Sequence, residues 1–437
     1  MTYSLTLASS KGKGARQYVT IKINVHTLTE EHVKSRRAIA QRLAKGNPNH
    51  PGFDHIRFTL DVFPVKNGKF THLCVVYSVL REPLIPCMKK LPGRMFSSRT
   101  LRLLVPALLK GLDYMHSECH IIHTDLKPDN VMMGLGDPSV LEKVVQDEYE
   151  HPSARKAPDS HGRVIYVSRD DFGAPPTDSV ICSAKITDIG LAVWGDEEHS
   201  HPIQSNAFTA PEVILACNWS YPADIWNLGV MLWDLFEEFG LFDDIDTIKH
   251  YNSNKHLGLM IALMGPPPME LLKRGSTSAT YFDMETGEYR SPGFVPHGKS
   301  FESCIKRIKG KDKELFIDFI KHMLCWLPEE RWTAKQLLEH PWLKERTEYE
   351  MRGDYERVDD PMEHMAILSC AVTKSTNPDT TPRISPVDAK TDGADTTECA
   401  EATADGAEEL RKKPPMKRTQ TNEISSSLID GILQRKH

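Results

Sequence analysis

Cysteine is scarce in this sequence, and its spacing suits neither a disulfide framework nor a metal site. Nine cysteines are scattered along 437 residues, without a CxxC pair and with an odd total. A chain of this length can bury a core large enough to fold without covalent cross-links. The cysteine content therefore argues against a secreted, disulfide-stabilised protein and predicts a cytoplasmic or nuclear location, or both.

The sequence also lacks a charge excess of either sign. Lys and Arg total 54 and Asp and Glu total 60, so the net charge is only −6. A general nucleic-acid-binding protein would carry a large basic excess. We therefore expect no direct binding to nucleic acid.

Long apolar runs are absent as well. The most apolar stretches, residues 101–112 and 228–236, are broken by charge and glycine, and both are shorter than the roughly 20 residues of a membrane helix. Residues 1–18 lack the basic start, apolar middle and small-residue cleavage site of a signal peptide. These absences predict that the protein makes no contact with a membrane.

What is present is a change of pattern along the chain. The predicted elements are strands at residues 18–25, 58–63 and 72–78 and helical segments at 28–44, 100–116 and 223–343. Runs of β-branched residues indicate the strands, and apolar residues at helical spacing indicate the helices. The change from strands to helices near residues 78–84 predicts an α+β fold of two lobes.

The two predicted lobes differ in size. A small strand-rich lobe occupies residues 1–80, and a larger, mainly helical lobe occupies 81–345, with an irregular spacer at about 137–182. Residues 346–437 contain few large apolar side chains, so we expect a mostly disordered tail. Its basic stretch at 411–418 is either a nuclear localisation signal or a cluster of solvated charges.

The most informative segment is IIHTDLKPDNV at residues 121–131, directly after a predicted helix. Asp125 can accept or orient a proton from an attacking hydroxyl, and Lys127 can neutralise a transferring phosphate. Asn130 can bind a metal ion from the same loop. Such a run can also be a plain polar turn between a helix and a strand, so its interpretation depends on the rest of the chain.

A second segment, KITDIGLAV at residues 185–193, predicts a metal-binding carboxylate. A short strand would deliver Asp188 to a turn at Gly190. Another Asp-x-Gly run begins at Asp171, but polar residues precede it and two prolines follow it. Because no buried strand leads into that run, we interpret Asp171 as a loop residue.

A third group of residues would hold these segments in place. Glu212 follows Thr-Ala-Pro and would need a buried partner, for which Arg331 is the candidate. Asp224, at the start of a helix, could cap the loop at residues 123–130 by accepting backbone N–H bonds. Each feature alone could be a simple capped helix, but their order and spacing argue for one catalytic unit.

These motifs together resemble the eukaryotic protein kinases, and most closely the SR-protein-specific kinase-like group of filamentous fungi. The resemblance extends over roughly residues 4–343. Its specific parts are residues 72–77, 120–130, 187–190, 210–214 and 223–229. The order His123-Thr124-Asp125, in place of the common His-Arg-Asp, is typical of that group, as is the spacer before Asp188.

The resemblance implies a serine/threonine protein kinase that uses ATP and Mg²⁺ and acts on a protein substrate. Asp125 would be the catalytic base and Lys127 the phosphate contact. Asn130 and Asp188 would be the magnesium ligands. The remaining functional side chains would be structural, namely those of His123, Glu212, Asp224 and Arg331.

The resemblance also implies a nucleotide site in the small lobe and at the junction between the lobes. Lys22 would be the ATP-binding lysine of the third strand. Tyr77 would be the gatekeeper beside the adenine, and the backbone of Ser78 and Leu80 would form the hinge contacts. Lys22 taken alone could be an ordinary exposed strand lysine.

The sequence departs from the kinase pattern before Lys22. A first strand and a glycine-rich phosphate loop should precede this lysine, but residues 4–9 resemble the second strand and the Lys-Gly-Lys-Gly run at 11–14 suits a turn. We therefore expect a small lobe that lacks the first strand and the glycine-rich loop, and a chain that begins after that loop.

The helix after Lys22 shows a further departure. It should supply a Glu to pair with the lysine, but that position falls near Arg36 or Arg37, and the nearest acids, Glu30 and Glu31, lie one to two turns earlier. Without this ion pair, the alternative interpretation is a pseudokinase or scaffold module with weak or no catalysis. A small-molecule kinase is disfavoured by the Ala-Pro-Glu motif and the helix that follows it.

The segment that would face the protein substrate also differs from the family pattern. Phe208-Thr209 replaces the Tyr-Arg common before Ala-Pro-Glu. Thr124 stands where an arginine normally binds a phosphate on the activation loop. We therefore hypothesise that phosphorylation of this loop, at Ser200 or Ser205, does not activate the protein. Ser205 also occupies a position typical of Ser/Thr specificity.

Substrates and assembly are the last expectations. The resemblance implies basic, Arg-Ser-type substrates and we expect a monomer. An acidic group could attract such substrates or could simply be a solvated helix end; its members are Glu237, Glu238, Asp243, Asp244 and Asp246.

Overall fold

The computed structural model describes residues 3–4, 8–9, 18–24, 29–67, 70–157, 166, 172–173, 175–243, 245 and 251–344. The predicted tail with its basic stretch, the predicted turn at residues 11–14, and Asp171, Asp244 and Asp246 lie outside the described residues.

The small lobe is built on an antiparallel sheet with the strand order β1-β3-β5-β4, and β2 also pairs with β3. Its strands are β1 (Tyr3–Ser4), β2 (Ala8–Ser9), β3 (Tyr18–Ile23), β4 (Thr59–Asn67) and β5 (Phe70–Ser78). The strands predicted at 18–25, 58–63 and 72–78 are confirmed by β3, β4 and β5. The register places Lys22 opposite Val75 and Thr20 opposite Tyr77.

One helix, α1 (Glu30–Lys45), packs beside this sheet. The Thr29 hydroxyl caps its start by accepting the His32 N–H at 3.2 Å. Acidic residues in the first turn and basic residues in the last turn complement the helix dipole. Ile39 and Leu43 are buried in the main hydrophobic core, so α1 connects the small lobe to the rest of the protein.

The larger lobe is mainly helical, as the sequence predicted. Its helices are α2 (Leu84–Lys89), α3 (Ser98–Asp113), α4 (Val140–Glu150), α5 (Asp178–Cys182), α6 (Pro211–Ile214), α7 (Pro222–Phe236), α8 (Ser253–Met264), α9 (Met269–Arg274), α10 (Ser278–Tyr281), α11 (Phe301–Cys304), α12 (Gly310–Lys321), α13 (Ala334–Leu337) and α14 (Pro341–Lys344). Nearly every residue of α7 is buried, which makes it the central helix of the core. The fold is therefore α+β with two lobes.

Short strand pairs bring distant parts of the larger lobe together. β6 (Ile121–Ile122) pairs with β9 (Val193–Trp194), and β7 (Val131–Met132) pairs with β8 (Lys185–Ile186). The loop with the His-Thr-Asp motif lies between β6 and β7, and the segment with Asp188 lies between β8 and β9. The two ladders therefore hold these two predicted site segments against each other.

The segment predicted to be an irregular spacer contains α4 and α5, so the prediction of irregular structure was wrong for these parts. Leu141 and Val144, one helical turn apart on α4, are buried with Val79 and Phe172 in a cluster separate from the main core. The apolar stripe is short and the rest of α4 is charged, so local composition resembled a loop. Packing against Val79 supplies the burial that stabilises this helix.

Two predicted absences can be compared with the structure. Among the described residues, none of the helices combines the length and the apolar character needed to cross a membrane. The described cysteines are all free thiols.

Asp234, on the central helix α7, has a carboxyl group in surroundings that disfavour its ionised form. Oδ1 of Asp234 is buried without a hydrogen-bond partner among the described residues. Burial, together with the neighbouring carboxylate of Asp243, raises the pKa of Asp234 to about 7. The folded protein must therefore ionise this group at a much higher pH than the unfolded chain, where the ordinary value is 3.8.

This shift predicts a pH-dependent stability. The pKa of Asp234 is higher in the folded protein than in the unfolded chain. Its contribution to the free energy of unfolding is therefore complete below pH 3.8 and is lost as the pH rises from there to about 7. Between pH 5 and pH 8 the protein should lose roughly 2–3 kcal/mol from this group. Asp234→Asn should remove that loss in urea titrations at the two pH values. An unchanged pH dependence in the variant would contradict the prediction.

Candidate active site

The carboxylate of Asp125 is the centre of the candidate site. Lys127 Nζ donates to Oδ1 at 3.0 Å and to Oδ2 at 2.9 Å. Ser205 Oγ donates to Oδ1 at 2.9 Å, and Asn130 Nδ2 donates to Oδ2 at 3.0 Å. The predicted base, phosphate contact and metal ligand of the loop therefore meet at one carboxylate, with a hydroxyl from a segment 80 positions later.

The buried carboxylate of Asp224 fixes the backbone of the loop that contains Asp125. Asp224 is fully buried, and its oxygens accept the backbone N–H groups of His123 at 2.7 Å and Thr124 at 2.8 Å. His116 Nε2 lies 2.9 Å from Oδ2. Burial alone would raise the pKa of Asp224, but these hydrogen bonds and the charge of His116 hold it below its usual range. Asp224 thus occupies the capping position predicted for it.

The bonds from Asp224 also support a strained backbone. Thr124 has a φ of 69°, a region that β-branched residues rarely adopt. Its N–H is bonded to Asp224, and its hydroxyl donates to the Leu191 carbonyl at 2.9 Å. Hydrogen bonds from the backbone N–H and from the side-chain hydroxyl of Thr124 therefore stabilise this strained conformation.

His123 connects the loop to the segment of Asp188. Its ring is fully buried. Nδ1 accepts the Asp125 N–H at 3.2 Å, so Nε2 carries the proton and donates to the Thr187 carbonyl at 2.8 Å. The Thr187 N–H in turn donates to the Asn130 carbonyl at 2.8 Å. These bonds fix the predicted magnesium ligands, Asn130 and Asp188, relative to each other.

Lys22 reaches across to this segment. Its Nζ lies 2.6 Å from Asp188 Oδ1. Asp188 has a φ of 58°, and its Oδ1 also accepts the Gly190 N–H at 3.4 Å. Burial would raise the pKa of this carboxyl, but the Lys22 ammonium holds it below its usual range. The predicted ATP-binding lysine and the predicted metal ligand are therefore ion-paired.

The partner of Lys22 is not an acid from helix α1. Arg36 and Arg37 line a cavity of about 40 Å³ together with Lys22 and Asp188. Arg36 Nη1 lies 3.5 Å from the side-chain oxygen of Asn24. The acids of the first turn of α1 are exposed. The structure thus places arginine where the family pattern has a glutamate.

The predicted hinge begins at Ser78, the last residue of strand β5. Tyr77 and Leu80 are buried, whereas Ser78 is exposed. Burial raises the pKa of the Tyr77 hydroxyl. The sequence did not single out Arg57, whose guanidinium contacts both Tyr77 and the Ser78 carbonyl. Only its position one residue before a predicted strand was visible in the sequence, and that position carries no functional signal.

The oxygen atoms of the candidate metal ligands suit Mg²⁺. Asn130 uses its amide nitrogen to bind Asp125, and its Oδ1 accepts no hydrogen bond from any described residue. Asp188 uses Oδ1 for Lys22 and Gly190, and Oδ2 likewise has no hydrogen-bond partner within the described ranges. One amide oxygen and one carboxylate oxygen are hard donors of the kind that Mg²⁺ prefers.

A buried ion pair supports the segment that ends in Ala-Pro-Glu. Arg331 donates to both oxygens of Glu212 at 2.7 Å, and both side chains are fully buried. Arg331 also donates to the Pro222 carbonyl at 3.0 Å, and its guanidinium lies 5.0 Å from the centre of the Trp226 ring. The predicted partners thus meet, and the pair connects the segment to the central helix α7.

The segment between Asp188 and Glu212 is held by aromatic and backbone contacts. His199 stacks on Trp219 with 4.6 Å between ring centres, and its Nε2 lies 2.7 Å from the Trp194 carbonyl. The Phe208 carbonyl accepts a bond from Asn227 at 2.6 Å. Phe208-Thr209, which departs from the family pattern, is therefore an ordered part of this segment.

Known proteins share this architecture and these motifs. A family model described as the protein kinase domain matches residues 176–343. A serine/threonine protein kinase of Aspergillus fumigatus is 32% identical over 335 residues, which cover 75% of this chain and 78% of the fungal protein. The chain belongs to the eukaryotic protein kinases.

Two further known proteins resemble this kinase. A serine/threonine-protein kinase SRPK of Physarum polycephalum is 26% identical over 359 residues, which cover 77% of the kinase and 82% of that protein. A crystal structure of a kinase domain superimposes with a TM-score of 0.53 and 21% identity, and covers 77% of this chain and 93% of that one. The first likeness is to a serine/threonine kinase that carries the SRPK name, and the second supports the fold.

Proposed function

We propose that this kinase is catalytically competent and transfers the γ-phosphoryl group of Mg-ATP to a serine or threonine hydroxyl of a protein. The observation that carries the proposal is the contact of Asp125 with Lys127, Asn130 and Ser205 at 2.9–3.0 Å. A general base, a cation for the transferring phosphoryl group and a metal ligand are thus within reach of one substrate hydroxyl.

Asp125 would accept the proton of the attacking hydroxyl. In the present arrangement the Ser205 hydroxyl donates to Asp125 Oδ1 and accepts from Lys127 Nζ, each at 2.9 Å. This geometry supports the binding of a substrate hydroxyl between the two groups. Lys127 would neutralise charge on the phosphoryl group as it moves toward the substrate oxygen.

Lys22, Asn130 and Asp188 would bind the nucleotide. Asn130 and Asp188 would hold Mg²⁺, which when bound offsets the negative charge of the phosphate oxygens. Lys22 would contact the phosphates. Because its ammonium is paired with Asp188 at 2.6 Å, it already lies beside the expected position of the metal and the phosphates.

Arg-Ser peptides are the first substrates to test, on the strength of the SRPK-like group. The structure weakens one support for this choice. Glu237 is buried and its Oε1 accepts the N–H groups of Lys306 at 3.0 Å and Arg307 at 3.1 Å, so it is a structural cap and not part of an acidic surface. Glu238 and Asp243 remain exposed.

The experiment compares peptides of matched length, of which the Arg-Ser and Lys-Ser repeats also carry the same charge. The full chain, with labelled ATP and Mg²⁺, is given an Arg-Ser repeat, a Lys-Ser repeat and a Gly-Ser repeat, with Asp125→Asn as the control. Label on the Arg-Ser peptide alone supports both the activity and the preference. Equal label on the Arg and Lys peptides would contradict the preference, and no label on any peptide would contradict competence towards these substrates.

A pseudokinase is the second candidate, and one observation favours it. Helix α1 presents Arg36, where the family pattern has a glutamate, beside Lys22 and Asp188. A thermal shift with Mg-ATP separates the two proposals, because a ligand that binds only the folded state raises the apparent stability. A shift without label on any protein substrate would support the pseudokinase.

We also predict that activity is independent of phosphate on the activation segment. Thr124 offers no guanidinium to bind a phosphate, and its hydroxyl is already bonded to the Leu191 carbonyl. The stack of His199 on Trp219 orders the segment instead. Phosphatase treatment and Ser200→Ala should both leave the initial rate unchanged. Loss of activity after phosphatase, recovered on rephosphorylation, would show the opposite.

A further inference from the structure

Arg57, which is not one of the predicted site residues, contacts the predicted hinge with its side chain. Arg57 lies just before β4, and its N–H donates to the Ile186 carbonyl at 2.9 Å. This bond holds its backbone beside β8, the strand that leads to Asp188.

The guanidinium of Arg57 is fixed by three groups around the hinge. Nε and Nη2 both donate to the Ser78 carbonyl, at 3.2 Å and 2.7 Å. Nη1 lies 3.5 Å from the sulfur of Met132, and the central carbon lies 4.8 Å from the centre of the Tyr77 ring. The planar group is thus held between the hinge carbonyl, the gatekeeper ring and a side chain of β7.

The charge of Arg57 has no acidic partner among the described residues. Within the part of the chain that the structure describes, no carboxylate forms an ion pair with it. Burial lowers the pKa of this guanidinium to about 10, so it stays protonated at neutral pH. This half-buried cation, held by a carbonyl and a ring, has donors to spare, because a guanidinium carries five N–H groups and Arg57 uses three of them here.

The consequence rests on the proposed function and on the hinge contacts that the kinase resemblance implies, in which the purine binds to the backbone of Ser78 and Leu80. The 6-amino group of adenine is a donor and needs an acceptor at the hinge. The Ser78 carbonyl already accepts two N–H groups from Arg57. An amino group placed there would face N–H donors, whereas an acceptor atom at position 6 would receive the spare N–H groups.

We propose that Arg57 is a specificity-determining residue of the nucleotide site: it disfavours the 6-amino group of adenine and favours a purine with a hydrogen-bond acceptor at position 6. The effect is on the relative affinity of nucleotides and leaves the transfer chemistry to Asp125. The kinase would then use ATP with a reduced advantage over purines that lack the amino group.

The test compares nucleotides that differ at position 6 and keep an acceptor at position 1. The triphosphates of adenosine, purine riboside and 6-methoxypurine riboside, each with Mg²⁺, compete for a fluorescent nucleotide bound to the full chain. The wild type should bind the 6-methoxy compound at least as tightly as ATP. Arg57→Met should reverse this order and favour ATP by about tenfold, since a hydrogen bond from a charged donor is lost.

A second variant separates charge from geometry. Arg57→Lys keeps the charge but loses the planar guanidinium. Its affinity for ATP relative to the 6-methoxy compound should therefore lie between the values for the wild type and Arg57→Met. If Arg57→Met does not fold, the relative affinity of the wild type for the two nucleotides is a sufficient test. Wild-type protein that binds ATP tenfold tighter than the 6-methoxy compound would overturn the proposal. Equal ratios in all three proteins would also overturn it and leave the proposed kinase activity intact. Absence of binding for every nucleotide would overturn both.

Discussion

Asp125→Asn should reduce phosphoryl transfer by roughly 10²–10⁴-fold, the range that a general base contributes. The amide fills the same space and keeps an oxygen for Lys127, but it cannot accept the proton of the substrate hydroxyl. Binding of Mg-ATP should change little, because Asp125 contacts Lys127, Asn130 and Ser205 and is not one of the proposed nucleotide ligands. Initial rates with labelled ATP, and a thermal shift with Mg-ATP, measure the two effects separately.

Asp129→Asn is the matched control for this experiment. Asp129 belongs to the same loop, is exposed, and forms no hydrogen bond or ion pair with any described residue. The same change from carboxylate to amide should therefore leave the rate as it is in the wild type. Two variants with equal losses would show that the loop responds to charge in general, and an active Asp125→Asn would remove Asp125 from the proposed chemistry.

Arg331→Met should lower the free energy of unfolding by about 3–5 kcal/mol, the cost of leaving one member of a buried ion pair without its partner. Both side chains of the Glu212–Arg331 pair are fully buried, and the two N–H···O distances are 2.7 Å. The variant leaves the Glu212 carboxylate in the core without a cation. Urea denaturation of the wild type and the variant measures the difference.

Two further variants test whether burial of the ion pair causes the loss of stability expected for Arg331→Met. Arg274→Met breaks exposed pairs with Glu270 and Glu329 and should cost no more than about 1 kcal/mol. Glu212→Leu combined with Arg331→Met should be more stable than Arg331→Met alone, because no charge is then left unpaired. Similar costs for Arg331→Met and Arg274→Met would contradict the role assigned to burial.

The chemistry of the catalytic loop could be predicted because its residues are neighbours in the sequence. Asp125, Lys127 and Asn130 lie within six positions, so their spacing alone brings their side chains to one place. The partners of longer range were predicted from their chemical roles: Asp224 as a cap at a helix start, and Arg331 as the cation that a buried Glu212 needs. The structure places both pairs within hydrogen-bond distance.

Burial by distant segments could not be predicted in the same way. Helix α4 is charged apart from a short stripe, and only its contact with Val79 and Phe172 buries Leu141 and Val144. Glu237 looked like part of an acidic surface, yet backbone N–H groups about 70 positions later occupy its carboxylate. In each case the decisive neighbour comes from another part of the chain.

The sequence by itself determined the kinase family, the two-lobed α+β fold and the identity of the groups at the candidate site. Only the tertiary structure decided how the charges pair. Lys22 finds Asp188, 166 positions away, because α1 offers arginine where a glutamate would compete for it. Arg57 binds the Ser78 carbonyl because its backbone is held beside β8 and the guanidinium has no described carboxylate within reach. A charged side chain takes the best partner that the fold brings to it, and local sequence does not encode that choice.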